Sequence, residues 1–535
     1  MALTRTGRQP VLATRGAVAA PHHNAAQAGL AMLQRGGSAV DAAIAANAVL
    51  AVVYPHMAGL GGDLFALVWD ASTGQQLGLN ASGRSGAAAT IDWYRERGHA
   101  RIPMRGPLAC LTVPGAIAGW WALHQRLGRL PWDALFGPAI EFAANGFAVP
   151  ESLAAWSIPD ADVLDADPMA RAAFRSAARP LRMGEQVAFP NLAQTMTAVA
   201  QGGPEAFYRG DIAERICAYL QAAGSLLTPD DFAAQRADWV NPISTTYRGY
   251  TASQLPPNTQ GFAALEILGI LNGLDVSALG DSTAAYVHTL AEAARLAFED
   301  RDRYLSDPDF VHAPLDRLLS EDHFAALRGR LDPARKGGPD SKPTGGDTCY
   351  LCAVDADGNA MSLIQSVYFD FGSGVVAGDT GVLMQNRGAF FSLDAAHPNR
   401  LEPRKRTFHT LIPAMLMQDG QPVMVYGNMG GEGQPQSQAA VLTRVVDFGY
   451  DVQRAIEAPR WLYGRTWGTE SAALSVEESL GPEVAAQLAA MGHDVRVVPT
   501  WSDSMGHAQA IRIDRERGVY WAGADPRSDG AAAGW

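Results

Sequence analysis

The pattern of hydrophobic and polar positions changes in character about two thirds of the way along the chain. Before that point apolar residues recur mostly at helical spacing, as in the stripe formed by Trp120, Leu123 and Leu127. Beyond Thr348 the apolar runs are short and bounded by turn residues, which is typical of strands. The pattern predicts a helix-rich first part and a strand-rich second part.

Within the first part the pattern predicts a strand over 16–20, a helix over 25–33 and a second helix that begins after Ser38. Ser38 is a favourable helix N-cap, and an acidic residue follows in the first turn. A glycine-rich turn at 59–62 then leads into a strand over 64–69. This turn lacks the spacing of a dinucleotide-binding loop, so we expect its glycines to let the backbone pass close to another element or to a small ligand.

The second part opens with a predicted β-hairpin whose strands are joined by a polar Asp-Gly-Asn turn. Strands are predicted at 348–354, 360–367, 382–385, 412–416, 423–426, 494–498, 508–513 and 519–522, and helices at 435–448 and 482–491. Neither internal repeats nor a low-complexity linker separate the two parts of the chain. We therefore expect both parts to build one composite structure.

Composition narrows the functional classes. The 535 residues are 47% hydrophobic and carry a formal net charge of −13. This charge argues against a nucleic-acid or anionic-membrane partner, since both require a basic surface. The basic residues near the N-terminus are not followed by an apolar stretch, so we expect no secretory signal and a cytoplasmic location.

The four cysteines are too few for a disulfide framework. Cys349 and Cys352 form a C-x-x-C pair, but residues three positions apart on a strand point to opposite faces of the sheet. We expect them to be packing residues rather than a redox or zinc site. The sequence implies no metal and no organic cofactor.

Thr348 stands at the mouth of the predicted hairpin, after a Lys-Pro-Thr-Gly-Gly segment. It has two interpretations. One is an ordinary first residue of a strand. The other is a nucleophile released when the chain cuts itself after Asp347, with its own α-amino group as the base. The 337–347 segment is the best candidate for an exposed, cleavable join.

Other polar residues carry candidate chemistry. Gly430 and Gly431 lie between a predicted strand and a predicted helix, where backbone N–H groups can stabilise an oxyanion, although a tight turn explains them equally well. Arg84 is either a surface charge or a clamp for a carboxylate. The basic 404–410 segment supplies imidazole and hydroxyl groups, or is simply solvated surface.

Taken together, these segments resemble the γ-glutamyltranspeptidase family of N-terminal-nucleophile hydrolases. The shared motifs occur in order over nearly the whole chain, which makes the resemblance specific. They include Val113-Pro114-Gly115, Leu130-Pro131-Trp132, Leu255-Pro256-Pro257, Asp347-Thr348 and Gly430-Gly431.

The resemblance implies an α+β fold, the four-layer αββα sandwich of N-terminal-nucleophile hydrolases, with a helix-rich N-terminal portion. It also implies self-cleavage between Asp347 and Thr348. The products would be a large subunit, 1–347, and a small subunit, 348–535. The two would stay together, and the small subunit would carry the nucleophile.

The resemblance further implies roles for four catalytic residues. Thr348 would be the nucleophile, and Ser366 matches the hydroxyl residue that hydrogen-bonds to it. Gly430 and Gly431 match the oxyanion-hole pair. In this reading the reaction proceeds through an acyl-enzyme on the threonine.

The substrate pocket departs from the family pattern. Phe390 falls where the family has an acidic residue that binds the substrate ammonium, and Arg387 falls where a neutral amide is usual. His409 and Thr410 replace two serines that hold the substrate carboxylate, and Tyr368 replaces an asparagine. The carboxylate-binding arginine of the family is not aligned without a shift, and Arg84, singled out above, is near enough to substitute for it.

These departures predict a substrate class. Losing an anion and gaining a cation disfavours a substrate with an ammonium group, because a buried ammonium without a partner is costly. We expect an amidohydrolase for a small anionic amide such as oxamate, as in the oxamate amidohydrolase branch of the family. Two alternatives stay open: a γ-glutamyltransferase or glutathione hydrolase, and an unprocessed, non-catalytic binding protein on the same fold. The expected partners are the small amide substrate and, for each subunit, the other subunit. A homo-oligomer is left open.

Overall fold

The structure is a computed structural model that describes residues 7–176, 179–338, 347–464 and 471–535. Most of the 337–347 segment, for which the sequence predicts a cleavable join, lies outside these described residues. For Asp347 only the backbone is described, as the first residue of a strand.

Strands occur in both parts of the chain. In chain order those of the described residues are β1 Val11–Ala13, β2 Ala17–Ala20, β3 Asp63–Asp70, β4 Gln75–Ala81, β5 Phe147–Ala148, β6 Arg175–Ser176, β7 Arg179–Pro180, β8 Gln186–Val187, β9 Asp238–Val240, β10 Ile243–Tyr247, β11 Tyr250–Gln254, β12 Asp347–Val354, β13 Ala360–Tyr368, β14 Ala414–Gln418, β15 Gln421–Asn428, β16 Trp461–Tyr463, β17 Leu474–Glu477, β18 Val495–Val498, β19 Ala508–Asp514, β20 Val519–Ala524 and β21 Ala531–Gly534.

Most α-helices of the described residues lie before Thr348, as the sequence predicts. In chain order the α-helices are α1 His23–Gln34, α2 Ala39–Val53, α3 Ile91–Glu96, α4 Ala116–Leu127, α5 Gly137–Asn145, α6 Glu151–Trp156, α7 Ala161–Ala166, α8 Pro168–Phe174, α9 Pro190–Tyr208, α10 Asp211–Ala222, α11 Pro229–Ala233, α12 Gly261–Asn272, α13 Val276–Leu279, α14 Ala284–Tyr304, α15 Leu315–Leu318, α16 Glu321–Arg328, α17 Gln434–Val446, α18 Val452–Glu457 and α19 Pro482–Ala490.

Two large sheets form the centre of the described structure. Sheet I has the strand order β21-β2-β12-β13-β3-β4-β9, and sheet II has the order β1-β20-β19-β15-β14-β11-β10. The sheets share an apolar layer to which Phe65 and Ile364 contribute from sheet I, and Met415 and Val425 from sheet II. The two sheets therefore pack face to face, as in other sandwiches.

Helices cover the outer face of each sheet. On sheet I, α1 and α2 pack against residues such as Leu351 and Leu363. On sheet II, α12, α14 and α17 pack against residues such as Leu416 and Tyr426. The resulting order of layers is helix, sheet, sheet, helix, which confirms the αββα sandwich and the α+β class.

Sheet I is assembled from both sides of the predicted cleavage point. Strands β2, β3, β4 and β9 precede it, β13 and β21 follow it, and β12 follows it except for its first residue, Asp347. The two sets interleave, because β2 lies between β21 and β12, and β13 pairs with β3. Neither part of the chain can complete this sheet alone.

The predicted β-hairpin is confirmed as β12 and β13, which pair in antiparallel fashion. The ladder is regular from Val354, opposite Ala360, to Cys349, opposite Gln365. The register shifts between Asp347 and Cys349, as in a β-bulge, and this places Thr348 at the irregular end of the hairpin.

Two local predictions have different outcomes. The helix start at Ser38 is confirmed as a capping box, in which Ser38 Oγ accepts from Asp41 N at 3.2 Å and the Asp41 carboxylate accepts from Ser38 N at 2.9 Å. The predicted strand at 382–385 is wrong. This segment makes only isolated bridges, Met384 to Gly61 and Leu383 to Val376, because its backbone bonds to loops rather than to a neighbouring strand.

The two cysteines of the C-x-x-C pair point to opposite faces of sheet I, as predicted. Cys349 packs among the helices and Cys352 between the two sheets, and both are free thiols. Burial raises the pKa of Cys349 to about 12, so this thiol stays protonated. Within the described ranges, no helix combines the length and the apolar character that a bilayer-spanning segment requires.

Candidate active site

Thr348 is fully buried at the start of β12. In the hairpin Cys349 lies opposite Gln365, and Asp347 opposite Tyr368, so Thr348 faces the intervening pair that includes Ser366. Its Oγ1 lies 3.5 Å from Nε2 of Gln434. The hairpin register thus brings Thr348 and Ser366 to neighbouring positions on adjacent strands, and the hydrogen bond between them stays a prediction.

The turn that contains Gly430 and Gly431 connects β15 to α17. The φ angles of Gly430 and Gly431 are 144° and 51°, a region of backbone space that favours glycine. Gln434, the first residue of α17, contacts Thr348, so the turn that immediately precedes it lies close to Thr348. Such a turn can present backbone N–H groups to a developing oxyanion.

Buried side chains from the helical layer hold this turn in place. Gln260 Nε2 donates to the carbonyl oxygen of Gly431 at 3.0 Å and to that of Thr410 at 2.9 Å. Arg301 forms an ion pair with Glu432 at 2.9 Å, and both side chains are almost completely excluded from solvent. The conformation of the turn therefore depends on α12 and α14.

Arg387 is a buried charged group near Thr348 and Ser366. Its Nη2 donates to Ser366 Oγ at 3.1 Å, and the side chain is fully buried. Its Nε and Nη1 have no hydrogen-bond partner within the described part of the chain. Burial lowers the pKa of Arg387 to about 10, which still leaves the guanidinium charged at neutral pH.

Aromatic rings surround this guanidinium. Arg387 Cζ lies 4.5 Å from the ring centroid of Tyr368 and 5.4 Å from that of Phe390, within the range of cation–π interactions. The rings of Tyr368 and Phe390 stack with centroids 4.1 Å apart. The two positions at which the sequence departs from the family pattern, 387 and 390, are therefore neighbours in space.

His409 lies in the same buried region. Its Nε2 is 2.9 Å from Asp63 Oδ2. Burial, reinforced by the charge of Arg387, lowers the pKa of His409 to about 3, so the imidazole is neutral. Among the described residues, neither Nδ1 of His409 nor Oγ1 of Thr410 has a hydrogen-bond partner.

Asp63 links this region to three loops. Its Oδ1 accepts from Gly83 N at 2.9 Å, from Gly115 N at 3.2 Å and from Gln385 Nε2 at 3.1 Å. With His409 on the other oxygen, the carboxylate accepts four hydrogen bonds. It acts as a structural anchor and has little remaining capacity for a ligand cation.

These geometric relations agree with comparisons to known proteins. A family model described as Gamma-glutamyltranspeptidase matches residues 25–535. The chain belongs to the gamma-glutamyltranspeptidase family. As a member of it, the chain is an enzyme that acts on a C–N amide bond.

Relatives and a solved structure within this family cover the whole chain. The glutathione hydrolase-like YwrD proenzyme of Bacillus subtilis is 46% identical, covering 98% of this chain and 99% of the relative. The oxamate amidohydrolase proenzyme of Klebsiella pneumoniae is 41% identical, with 98% and 99% covered. The crystal structure of the cephalosporin acylase from Bacillus halodurans is 37% identical, covers 100% of this chain and 98% of its own, and has a TM-score of 0.92.

Arg84 lies in a different environment from the other residues that the sequence predicts to bind substrate. Its guanidinium forms ion pairs with Asp307 at 3.0 Å and Asp309 at 2.8 Å, and donates to the carbonyl of Arg404 at 3.2 Å. The side chain is 26% exposed. Its role as a carboxylate clamp stays a prediction.

Sequence reasoning did not find three polar residues of this gamma-glutamyltranspeptidase-family site. They are Asp63, Gln385 and Gln434. Asp63 directly follows the 59–62 glycine turn, and a Cβ on Gly62 would collide with the carbonyl oxygen of Ser366. That close approach confirms the expected reason for the glycines, and it is the signal that could have led to Asp63. For Gln434, the corresponding sequence signal is its position shortly after the Gly430-Gly431 turn.

Proposed function

We propose that the chain cuts itself before Thr348 and then hydrolyses a small amide whose acyl part carries a carboxylate beside the scissile bond. Oxamate is the simplest such substrate. The observation that carries the proposal is the buried, incompletely hydrogen-bonded guanidinium of Arg387 next to Ser366.

A buried cation whose N–H groups lack partners is unfavourable unless a ligand completes its hydrogen bonds. In the described structure, Nε and Nη1 of Arg387 have no hydrogen-bond partner and can donate to such a ligand. A carboxylate is the ligand that matches a guanidinium best, because its two oxygens can accept in parallel. We infer that the substrate carboxylate binds Arg387.

The position of Arg387 favours a short acyl group. The guanidinium donates to Ser366, and Ser366 belongs to the pair of residues that Thr348 faces across the hairpin. A carboxylate on Arg387 would therefore lie close to the carbonyl carbon that Thr348 attacks. Oxamate meets this requirement because its carboxylate is bonded directly to that carbon.

The same surroundings disfavour a γ-glutamyl substrate. Its ammonium group would lie near the like charge of the buried Arg387 guanidinium. Asp63 is the buried anion of this region, and its oxygens already accept hydrogen bonds from the protein. A buried ammonium without an anionic partner is costly.

In the proposed reaction Thr348 Oγ1 attacks the amide carbon, and the freed α-amino group of Thr348 takes the hydroxyl proton. The N–H groups of Gly430 and Gly431 stabilise the oxyanion. The C–N bond then breaks, and ammonia leaves with the proton returned by the α-amino group. Water attacks the resulting ester, so that oxamate and water give oxalate and ammonia.

The relatives support two candidate substrates. The 41% identical relative named as an oxamate amidohydrolase supports the first. The 46% identical relative is named as glutathione hydrolase-like, which makes γ-glutamyl hydrolysis the second candidate. The pocket chemistry around Arg387 is our reason for preferring the anionic amide.

A side-by-side assay tests the proposal. The processed protein should release ammonia from oxamate and should turn over a chromogenic γ-glutamyl anilide far more slowly. Arg387→Gln should lower kcat/KM for oxamate about 100-fold, the effect of losing a paired charge-assisted contact. The exposed Arg517 provides the control variant Arg517→Gln, which should leave the rate unchanged. Turnover of the anilide alone would overturn the substrate assignment.

A further inference from the structure

A second cluster of titratable side chains lies outside the proposed active site. It joins Glu266 of α12, Asp300 of α14 and His323 of α16, three helices that pack on one another over sheet II. One ligand atom from each residue lies within 4.8 Å of the other two. Three polar side chains from three helices thus converge on one point.

Glu266 is the residue that requires an explanation. It is completely buried, and neither of its carboxylate oxygens has a hydrogen-bond partner in the described structure. The neighbouring side chain is that of His323, whose Nε2 lies 3.7 Å from Oε1 of Glu266 and 2.9 Å from Oδ2 of Asp300. A carboxylate in this position is unfavourable without a cation close to it.

The local charges do not supply that cation. Asp300, whose carboxylate lies within 4.8 Å of that of Glu266, repels a negative charge there, and Arg317 is a cation that attracts it. Arg317 itself donates to the hydroxyl of Tyr304 at 3.0 Å. Protonation of Glu266 does not solve the problem either, because its O–H would also lack an acceptor at hydrogen-bonding distance.

We propose that Glu266, Asp300 and His323 bind a divalent transition-metal ion of the Zn²⁺ type. Imidazole nitrogen and carboxylate oxygen are ligand types that such ions accept, and three protein ligands leave a fourth position for water. Ligand bonds of about 2.0–2.2 Å need only small side-chain rotations to be made from this spacing. Ca²⁺ and Mg²⁺ suit the cluster less well, since they prefer a larger set of oxygen ligands.

The site would connect the outer helical layer to the oxyanion turn. Asp300 directly precedes Arg301, which pairs with Glu432 in that turn. Gln260, which immediately precedes α12, donates to the carbonyl of Gly431. A metal that fixes α12, α14 and α16 relative to one another would therefore also fix these two supports. This inference does not depend on the proposed substrate.

Metal binding can be measured directly on the full-length protein, without a polyhistidine tag and after treatment with a chelator. Calorimetric titration with ZnCl₂ should give one bound ion per chain, and the bound ion should raise Tm. Co²⁺ should give visible absorption bands of a protein-bound ion. His323→Gln should weaken Zn²⁺ binding at least about 100-fold, since loss of even an outer-sphere partner weakens metal binding about 10–100-fold.

The matched control is His312→Gln, at an exposed histidine, which should bind Zn²⁺ like the wild type. Glu266→Gln is a second variant in case His323→Gln does not fold. The unprocessed Thr348→Ala variant should bind Zn²⁺ normally, which separates this proposal from the catalytic one. A folded wild type that takes up no stoichiometric ion, or a His323→Gln variant with unchanged affinity, would overturn the assignment.

Discussion

Nε2 of His409 lies 2.9 Å from Oδ2 of Asp63, and both side chains are buried. Since the imidazole is neutral, Nε2 carries the hydrogen that is donated to Asp63, and Nδ1 is left as an acceptor. The two residues are 346 positions apart and join β3 to the segment before β14. This buried pair holds a neutral histidine next to the charged Arg387.

The pair predicts an acid-dependent loss of stability. The pKa of His409 is about 3 in the folded state and 6.5 for an ordinary histidine, so below pH 6.5 the unfolded chain binds a proton that the folded chain does not. The contribution of this histidine to stability is fully present well above pH 6.5 and falls as the pH decreases toward 3, by up to about 1.4 kcal/mol per pH unit. Between about pH 7.5 and 5.5, the fall in the free energy of unfolding should be about 1.4 kcal/mol smaller for His409→Asn than for the protein with His409.

Urea unfolding at the two pH values measures this difference, with both proteins in the uncut Thr348→Ala background. His312→Asn, at an exposed histidine, should leave the pH dependence unchanged. An equal fall in the free energy of unfolding with and without His409 would refute a neutral, buried imidazole.

Self-processing is the next prediction. The wild-type protein should give two bands on a denaturing gel, and Thr348→Ala should give a single band near 56.8 kDa. Thr246→Ala, at an exposed threonine of β10, serves as the control and should be cut like the wild type. A single uncut band for the wild type would instead favour the binding protein without catalytic activity.

Phe390→Asp should change substrate preference. The new carboxylate would lie near Arg387, whose Cζ is 5.4 Å from the Phe390 ring, and would neutralise it. We expect about a tenfold loss of oxamate turnover and a gain in γ-glutamyl anilide turnover, because an ammonium then has an anionic partner. Phe390→Asn removes the ring without adding charge and should not produce the gain. Equal anilide rates in both variants would mean that position 390 does not face the substrate amine.

Gln434 is expected to support the nucleophile. Its Nε2 is 3.5 Å from Thr348 Oγ1, and its Oε1 accepts from Ile412 N at 3.1 Å. Gln434→Met should lower kcat about tenfold with little change in KM, because the contact is to Thr348 rather than to the substrate.

The control for Gln434 comes from the same helix. Gln436 also makes two buried hydrogen bonds, both to the backbone of Tyr463. Gln436→Met should lower stability to a similar extent while kcat stays close to that of the wild type. A parallel loss of kcat in both variants would indicate a general loosening of α17 instead of a specific role.

Much of the architecture could be predicted because it depends on local signals. The Asp-Gly-Asn turn determined the β12–β13 hairpin, and Ser38 with Asp41 determined the start of α2. The 382–385 segment could not be assigned correctly, since an extended apolar run does not reveal whether its backbone pairs with a strand or with loops. The order of the layers followed from the family resemblance.

The site was predictable in position but not in interaction. The sequence drew attention to positions 387 and 390, yet it could not reveal that the Arg387 guanidinium keeps two nitrogens unpaired in the described structure. Asp63 and Gln434 contact residues that are distant in the chain, and no local pattern encodes such contacts. The two ion pairs of Arg84 come from a loop more than 200 positions away.

The interleaved strands of sheet I have a consequence for refolding. In the uncut chain, β2 and β12 are covalently tethered and meet at the high effective concentration of a single molecule. Cleavage before Thr348 would remove the tether, and the same pairing would become a bimolecular reaction. The precursor should then refold at a rate that does not depend on protein concentration. The refolding rate of the unfolded, cleaved enzyme should increase with protein concentration. Cleavage would thus make reassembly of the enzyme depend on the concentration of its two parts.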